Sequence, residues 1–271
     1  MIVGARIGVV ASSLRSVGSL LLDPYSGGVS LVLDPFRRLL ASYTGPLCRI
    51  RRSSDSTETD IAYTGLNVIN SAAAVSFAGA GSAFISKIYD QSAGANHLVQ
   101  AISTAQPRIV NAGVFDGKAV FDGTASAMQS IGNSGTPGAI SLFIKGVLRS
   151  FASTAVMAEL TTNTGSVAGE NGMAYYCSSS TNQTAVLESS GTTYGQSFFA
   201  TGLTGPAVHA AICDKAQSTI ALKSRLWING AEQTPPLATS TSGLPSGLFS
   251  AAKWNVGARN NGASLFAQLD L

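Results

Sequence analysis

Charged residues are scarce in this chain of 271 residues. They make up 11% of it, and 17 Lys and Arg against 14 Asp and Glu leave a formal net charge of +3. Globular chains usually hold about a quarter charged residues, and coiled coils or long helical arrays need abundant Glu and Lys, so those architectures are excluded. A hydrophobic share of 45% also excludes a disordered chain, which combines low hydrophobicity with high net charge.

Long apolar runs and clustered cysteines are missing too. No stretch approaches the roughly 18 apolar residues of a membrane-spanning helix. The N-terminus has Arg6 followed by only a short apolar stretch, a poor secretory signal that predicts a protein made without export. Cys48, Cys177 and Cys213 are far apart and lack zinc-type spacing, which predicts reduced, buried thiols. Scattered Asp and Asn residues predict no metal site, and no nucleotide-binding motif indicates a cofactor.

Positive charge is concentrated in one segment. Its members are Arg37, Arg38, Arg49, Arg51 and Arg52. Acidic residues follow at once, within residues 55–60, so the pattern predicts surface ion pairs rather than a nucleic-acid site.

From about Gly45 onward, short β-type segments alternate with Gly, Ser, Asn and Thr. The predicted strands include residues 83–89, 117–123, 140–148, 224–230, 254–257 and 264–269. Asn229-Gly230 is a strong hairpin-turn signal after one of them. Many short strands at regular spacing predict an all-β protein, a two-sheet antiparallel β-sandwich. One or two short helices are predicted, around residues 68–75 and 35–43.

The first 42 residues have a different pattern. Leu21-Leu22-Asp23-Pro24-Tyr25 is echoed by Val32-Leu33-Asp34-Pro35-Phe36. Asp-Pro favours a turn, and two copies are too few for a solenoid. We therefore predict an N-terminal arm at residues 1–42, which docks on a partner or sister subunit, and a sandwich domain at residues 43–271.

Residues 120–123, 140–147, 226–230 and 255–258 resemble, in that order, the concanavalin A-like jelly roll of laminin-G-type lectin modules and several glycoside hydrolases. The first half has a closer match. Its motifs are Tyr43-Thr44-Gly45-Pro46-Leu47-Cys48-Arg49-Ile50-Arg51-Arg52, Ser54-Asp55, Thr59-Asp60-Ile61, and Ile88-Tyr89-Asp90-Gln91-Ser92 with Gly94, Asn96-His97-Leu98 and Gln100. These resemble the catalytic domain of fungal and bacterial α-L-arabinofuranosidase B over about residues 40–125. The resemblance implies a two-sheet sandwich and a retaining mechanism with two carboxylates.

The resemblance also suggests catalytic positions. The family's nucleophilic Glu matches Glu188, although Val186 replaces an Asp of the family pattern. The family's acid/base Asp matches Arg259, which keeps its proton at any working pH and cannot act as a general acid. Hydrolysis would need a replacement acid such as Asp214 or Asp270. The adjacent cysteine pair that lines the family's pocket is absent.

The best-matched loop supplies most of the candidate sugar-binding residues. The full set is Asp90, Gln91, Asn96, His97, Arg259 and Asn260. Asx-type turns use the same residue types, so a structural role is the favoured alternative for the loop. His209 lies in an apolar strand and is expected to be a buried core histidine.

The lost acid and the poor export signal favour a non-enzymatic structural protein of a bacteriophage virion, a tail or capsid appendage that binds surface glycans. This hypothesis rests on analogy at the level of the fold. The expected partners are other virion proteins or sister subunits, with no nucleic acid and no membrane insertion. A homo-oligomer is expected because the sequence ends near a strand whose bare edge invites pairing. The alternatives are a glycoside hydrolase of the α-L-arabinofuranosidase B type and a bacterial carbohydrate-binding module. The expected location is the virion, and the alternative is a secreted bacterial protein.

Overall fold

The computed structural model describes residues 4–7, 19–148, 154–162, 171–178, 183–200, 205–234, 236, 238–259 and 265–271. Helical segments in these ranges are short. They are α1 (Ser71–Ala78), α2 (Ile220–Lys223) and 3-10 turns at Asp23–Gly28 and Ser103–Ala105. None of the helices formed by the described residues has the length and apolar character needed to cross a membrane.

Strands form the rest of the regular structure. They are β1 (Gly4–Ile7), β2 (Cys48–Arg52), β3 (Glu58–Ile61), β4 (Ala83–Ile88), β5 (Leu98–Val99), β6 (Arg108–Asn111), β7 (Val114–Asp122), β8 (Met128–Ser130), β9 (Ala139–Leu148), β10 (Ala155–Thr161), β11 (Met173–Ser178), β12 (Gln183–Ser190), β13 (Thr193–Ala200), β14 (Ala207–Asp214), β15 (Ser224–Ile228), β16 (Ala231–Glu232), β17 (Ala238–Thr241), β18 (Lys253–Val256) and β19 (Gln268–Asp270).

Two sheets pack face to face. The first sheet has the order β1-β9-β14-β15-β16, in which only β1 runs parallel to its neighbour. The second sheet is antiparallel, with the order β3-β2-β4-β5-β8-β18-β10-β11-β12-β13-β17. Strands β6, β7 and β19 connect β4 to β9. The predicted all-β, two-sheet antiparallel sandwich is confirmed.

The core lies between the sheets because apolar residues alternate along their strands. In β14 buried and half-buried residues alternate at every position, as expected for a strand with one face on the core. Trp254, Tyr175 and Phe121 are among the largest fully buried side chains. Strand β10 is buried at all seven positions, so both of its faces are covered.

The predicted strands agree with β4, β7, β9, β15 and β18, and the Asn229-Gly230 turn joins β15 to β16. The strand expected at residues 264–269 overlaps β19 only at residues 268 and 269. The helix expected around residues 68–75 is α1, which begins after Asn70, whose side chain accepts a hydrogen bond from Ala73 N at 3.1 Å. The helix expected at residues 35–43 is wrong. Asp34 Oδ1 accepts from Phe36 N and Arg37 N at 2.7 and 3.0 Å, which makes a turn there.

The described part of the N-terminal arm packs on the sandwich. Leu22, Val32, Leu39 and Leu40 form a small buried cluster, and Leu33 pairs with Asp90 of the domain. The boundary at residue 42 and docking of the arm on a partner remain predictions.

Strand β19 pairs with β7 on one side and with β9 on the other. The bare edge on which the homo-oligomer prediction rested is therefore covered within the chain, and oligomerisation itself remains a prediction.

Two predictions about individual residue types are confirmed. All three cysteines are free and buried. In the arginine-rich segment, Arg49 pairs with Asp60 at 2.7 Å and Arg52 pairs with Asp55 at 2.5 Å.

Candidate functional site on the outer face of the second sheet

The face of the second sheet that points away from the first sheet carries a group of polar side chains. We call Gln129, Glu159, Tyr176, Asn255 and Arg259 the outer-face cluster. Asn255 lies directly opposite Gln129 on one side and opposite Glu159 on the other. Directly opposite residues of antiparallel strands share a face, so these side chains project together.

The central contact of the cluster is an ion pair. Arg259 Nε lies 3.2 Å from Glu159 Oε2, and the two side chains are 18% and 0% exposed. A buried carboxylate needs a charged partner of this kind, because an isolated buried charge is very costly.

The other members supply hydrogen-bonding groups. Gln129 Nε2 donates to Asn255 Oδ1 at 2.9 Å, and Tyr176 Oη donates to Gln196 at 2.7 Å. Burial raises the pKa of Tyr176 to about 12, and the charge of Arg259 opposes that rise. The phenol therefore keeps its proton. Amide, phenol, guanidinium and carboxylate groups together can bind sugar hydroxyls, both as donors and as acceptors.

A glycine fixes the backbone that leads to Arg259. Gly257 has φ +84°, and a Cβ there would lie 2.2 Å from Phe121 Cδ1. Only glycine fits such a position. Gly257 N donates to Met157 O at 3.1 Å, which ties this turn to β10, the strand that carries Glu159.

Glu188 lies on the other face of the same sheet. It is directly opposite Met173, a residue of the core between the sheets, whereas the next residue, Leu187, is opposite Ala174 on the outer face. The Glu188 side chain is 0% exposed. The structure therefore places the two positions that match the family's carboxylates on opposite faces of the sheet, with Glu188 directed into the core between the sheets.

The surroundings of Glu188 are those of a buried acid. Neither of its carboxyl oxygens has a hydrogen-bond partner among the described residues. Burial raises the pKa of Glu188 to about 7, and the charges of Lys223 and Lys215 counteract part of that rise. Burial also lowers the pKa of Lys215 to about 8. Glu188, Lys215 and Lys223 are all buried and lie apart from the outer-face cluster.

The two proposed replacement acids belong to strands other than those of the cluster. Asp270 lies on β19 and pairs with Lys118 at 2.8 Å. Asp214 ends β14, where it accepts from Ala216 N at 3.0 Å and from Gln217 Nε2 at 2.8 Å. Glu159 is not among the candidate residues predicted from the sequence. Its signal is a single charged residue within the apolar run 155–160.

Asp90 connects the arm to the best-matched loop. Its carboxylate accepts four hydrogen bonds of 2.8–2.9 Å, from Val32 N, Ser92 N, Ser92 Oγ and Asn96 N. Gln91 also holds the arm, because it accepts from Leu39 N at 2.7 Å and donates to Arg37 O at 2.7 Å.

Asn96 and His97 complete this loop. Asn96 Oδ1 accepts from Gly132 N at 2.7 Å, and His97 Nδ1 accepts from Asp90 N at 3.0 Å. The polar atoms expected to bind sugar thus make internal bonds, in agreement with a structural role. Sugar binding by the four loop residues remains a prediction, and Asn260 lies outside the described residues.

His209 is the predicted core histidine. Its Nδ1 contacts the hydroxyl of buried Tyr175, and burial lowers its pKa to about 4. The imidazole is therefore neutral at physiological pH.

A cavity of about 340 Å³ lies between the arm and β9. Its wall is mostly apolar, with Leu33, Phe36 and Leu142 among the lining residues. The described residues contain no group of three or more His, Cys, Asp or Glu side chains that could hold a metal ion.

Comparison with known proteins identifies the relatives of this chain. A family model described as the catalytic domain of α-L-arabinofuranosidase B matches residues 32–263. An α-L-arabinofuranosidase of Hypocrea jecorina is 39% identical over 108 residues, which are 37% of this chain and 21% of the relative. An α-L-arabinofuranosidase B of Penicillium canescens is 44% identical over 101 residues, which are 35% of this chain and 21% of the relative.

Solved structures share the fold. An α-L-arabinofuranosidase mutant soaked with 4-nitrophenyl α-L-arabinofuranoside has a TM-score of 0.54 and 15% identity, over 89% of this chain and 57% of the other. An arabinofuranosidase complexed with arabinofuranosyl-α-1,2-xylobiose has a TM-score of 0.53 and 14% identity, over 88% and 56%. The match thus spans about a fifth of the curated relatives and little more than half of the structural neighbours.

These findings correct the expected virion function. The bacteriophage hypothesis rested on analogy of fold and on the arginine at one matched position, whereas the family model extends over most of the chain. The proteins that the chain matches are arabinofuranosidases, so the expected role in a tail or capsid is wrong. The chain belongs to the family of the α-L-arabinofuranosidase B catalytic domain.

Proposed function

We propose that this protein is a glycoside hydrolase that removes α-L-arabinofuranosyl groups, and that the outer-face cluster is its site. One observation carries the proposal. Arg259, at the position that matches the family's acid/base residue, contacts a buried carboxylate, Glu159, at 3.2 Å. The cluster thereby retains a carboxylate at this place in the fold, supplied by a different strand.

Glu159 suits one of the two roles in glycoside hydrolysis. Retaining enzymes use an ionised carboxylate to attack the anomeric carbon and a second, protonated group to assist the leaving oxygen. Glu159 is ion-paired with Arg259, and a paired carboxylate fits the nucleophile or the stabiliser of an oxocarbenium-like transition state. Glu159 is the one carboxylate of the outer-face cluster, and Arg259 cannot donate the second proton.

Substrates with good leaving groups therefore provide the most direct test. A 4-nitrophenolate leaves without protonation, whereas a sugar alkoxide needs an acid. We expect the purified chain to hydrolyse 4-nitrophenyl α-L-arabinofuranoside and to act far less well on methyl α-L-arabinofuranoside. Glu159→Gln should lower kcat/KM on the aryl substrate by about 100-fold or more.

Glu188→Gln is the matched comparison, because it makes the same chemical change on the other face of the sheet. If Glu188→Gln loses activity and Glu159→Gln does not, the assignment of the outer-face cluster as the site is wrong, while the proposed hydrolase activity stands. Absence of turnover in the folded parent protein would overturn the hydrolase proposal.

A second candidate function is arabinofuranoside binding without turnover, and it is favoured by the guanidinium at position 259. Arg259 donates several hydrogen bonds in a fixed geometry, which suits hydroxyl recognition. Calorimetric titration with arabinofuranosyl oligosaccharides separates the two functions. Binding by a parent protein without turnover, and its loss in an Arg259→Met variant shown by circular dichroism to be folded, would support this candidate.

The proposed substrate also bears on localisation. Arabinofuranosyl groups on polysaccharides lie outside cells, so we propose the secreted alternative in place of the virion. Secretion by the source organism, measured with antibodies on culture medium and cell fractions, tests this assignment.

A further inference from the structure

The outer-face cluster is part of a longer row of side chains. Each member lies directly opposite the next in a neighbouring strand of the second sheet, from β3 to β10. In order, the row is Asp60, Arg49, Lys87, Val99, Gln129, Asn255 and Glu159. Because opposite residues share a face, the row forms one continuous surface that leads into the cluster.

Two lysines give this surface a positive charge. Lys87 has its Nζ 5.2 Å from the centre of the Tyr89 ring. Lys253, two residues before Asn255 on β18, has its Nζ 3.5 Å from Gln129 Oε1. Neither lysine forms an ion pair within the described part of the chain.

The nearby carboxylates are already engaged. Asp60 accepts from Arg49 at 2.7 Å and from the Tyr89 hydroxyl at 2.8 Å, and Glu159 is paired with Arg259. Glu58 is on the edge strand β3 with Asp60, but it lies opposite Arg51 and therefore outside this row. The two lysine charges are thus available to an anionic group from outside.

The spacing fits an extended ligand. Lys87 on β4 and Lys253 on β18 are three strands apart, and a strand spacing of about 4.8 Å places them about 14 Å from each other across the sheet. Both side chains are half-buried, and Val99 and Gln129 lie between their strands in the row. One monosaccharide in the cluster could not contact both lysines.

We propose that this row binds the main chain of an arabinose-substituted polysaccharide that carries uronic-acid carboxylates, with Lys87 and Lys253 contacting those carboxylates. The proposal rests on the proposed function, since it takes the arabinofuranosyl group to be held at the outer-face cluster. Charge complementarity selects this occupant over a neutral polysaccharide. Exposed ion pairs are individually weak and are screened by salt, so the selection is expected to be modest and salt-sensitive.

The test compares one polymer in two forms. A uronate-bearing arabinoxylan and the same polymer after carboxyl reduction are used in affinity electrophoresis with the full chain. We expect the acidic form to be bound about five- to tenfold more tightly at low salt, and the preference to decline above about 0.3 M salt. In the double variant Lys87→Gln/Lys253→Gln, the ratio of the affinities for the acidic and the reduced polymer should approach one.

Lys145→Gln is the control, because it removes the same charge from an exposed position on the first sheet. Equal binding of the two polymers by the parent, or a preference that persists in the double variant, would overturn the proposal. Binding is measured without turnover, so a parent that prefers the acidic polymer but fails to hydrolyse aryl arabinofuranoside would overturn the hydrolase assignment alone.

Discussion

Glu159 and Glu188 lie on opposite faces of the second sheet, although only β11 separates their strands. Glu159 is in the same cross-strand row as Ala174 and Leu187, and Glu188 is the next residue after Leu187. Side chains alternate between faces along a strand, so this offset of one residue puts Glu159 on the outer face of the sheet and Glu188 on the core face. Two carboxylates on opposite faces cannot flank one glycosidic bond at the separation of about 5 Å that a retaining mechanism needs.

The ion pair in the cluster should be important for stability. Arg259→Met leaves Glu159 buried without its charged partner, and we expect the free energy of unfolding to fall by about 3–5 kcal/mol, measured by urea denaturation. Arg108→Met is the control, since Arg108 is 35% exposed in its pair with Asp116 and should contribute about 1 kcal/mol or less. If both variants lower the free energy of unfolding equally, the buried ion pair contributes no more to stability than the exposed one, and the prediction is wrong.

A carboxyl group at position 259 should restore acid catalysis. In Arg259→Asp two carboxyls lie side by side, and repulsion between their charges keeps one of them protonated near neutral pH. We expect kcat/KM on methyl α-L-arabinofuranoside to rise about tenfold or more relative to the 4-nitrophenyl substrate. Arg259→Asn has a similar shape without the acid, so an equal rise in that variant would show that removal of the arginine alone is responsible.

Asp90 should hold the arm on the sandwich. Asp90→Ala removes the acceptor of four hydrogen bonds, and buried donors without partners are costly, so we expect a loss of about 3 kcal/mol or more. Limited proteolysis should then cut first within residues 19–42. Asp55→Ala, at an exposed ion pair with Arg52, is the control and should change stability by less than about 1 kcal/mol. An arm as resistant in Asp90→Ala as in the parent would contradict this role.

Glu188 should make stability depend on pH. In the folded protein the pKa of Glu188 is about 7, whereas the ordinary value for Glu is 4.5. The contribution of the protonated Glu188 side chain to the free energy of unfolding is therefore fully present below pH 4.5 and is lost as the pH rises through 7. The change is about 3 kcal/mol.

Glu188→Gln has no proton to release, so the parent should lose about 3 kcal/mol relative to this variant between pH 4.5 and pH 8. Urea denaturation at both pH values measures the difference. Glu232→Gln, at a half-exposed pair with Arg225, should show no comparable trend. A constant difference between the parent and Glu188→Gln would contradict the burial of an unpaired acid.

The sequence by itself determined the fold class and the family resemblance. Alternating apolar residues and the Asn229-Gly230 turn are local signals, and they predict strands without knowledge of their partners. Buried thiols, the core histidine and the ion pairs of the arginine-rich segment followed from composition and neighbours along the chain in the same way. The bacteriophage function was wrong because it extended a shared fold to a role that no residue carried.

The location of the candidate site could be determined only from the tertiary structure. Strand register is set by pairing between distant segments, and a shift of one residue exchanges the two faces of a strand, so the sequence could not tell which glutamate faces outward. The contact between Glu159 and Arg259 joins residues 100 positions apart. The helix expected at residues 35–43 fails for a related reason, because Asn67 O and Gln91 Oε1 accept from Arg38 N and Leu39 N, the donors that a helix would use.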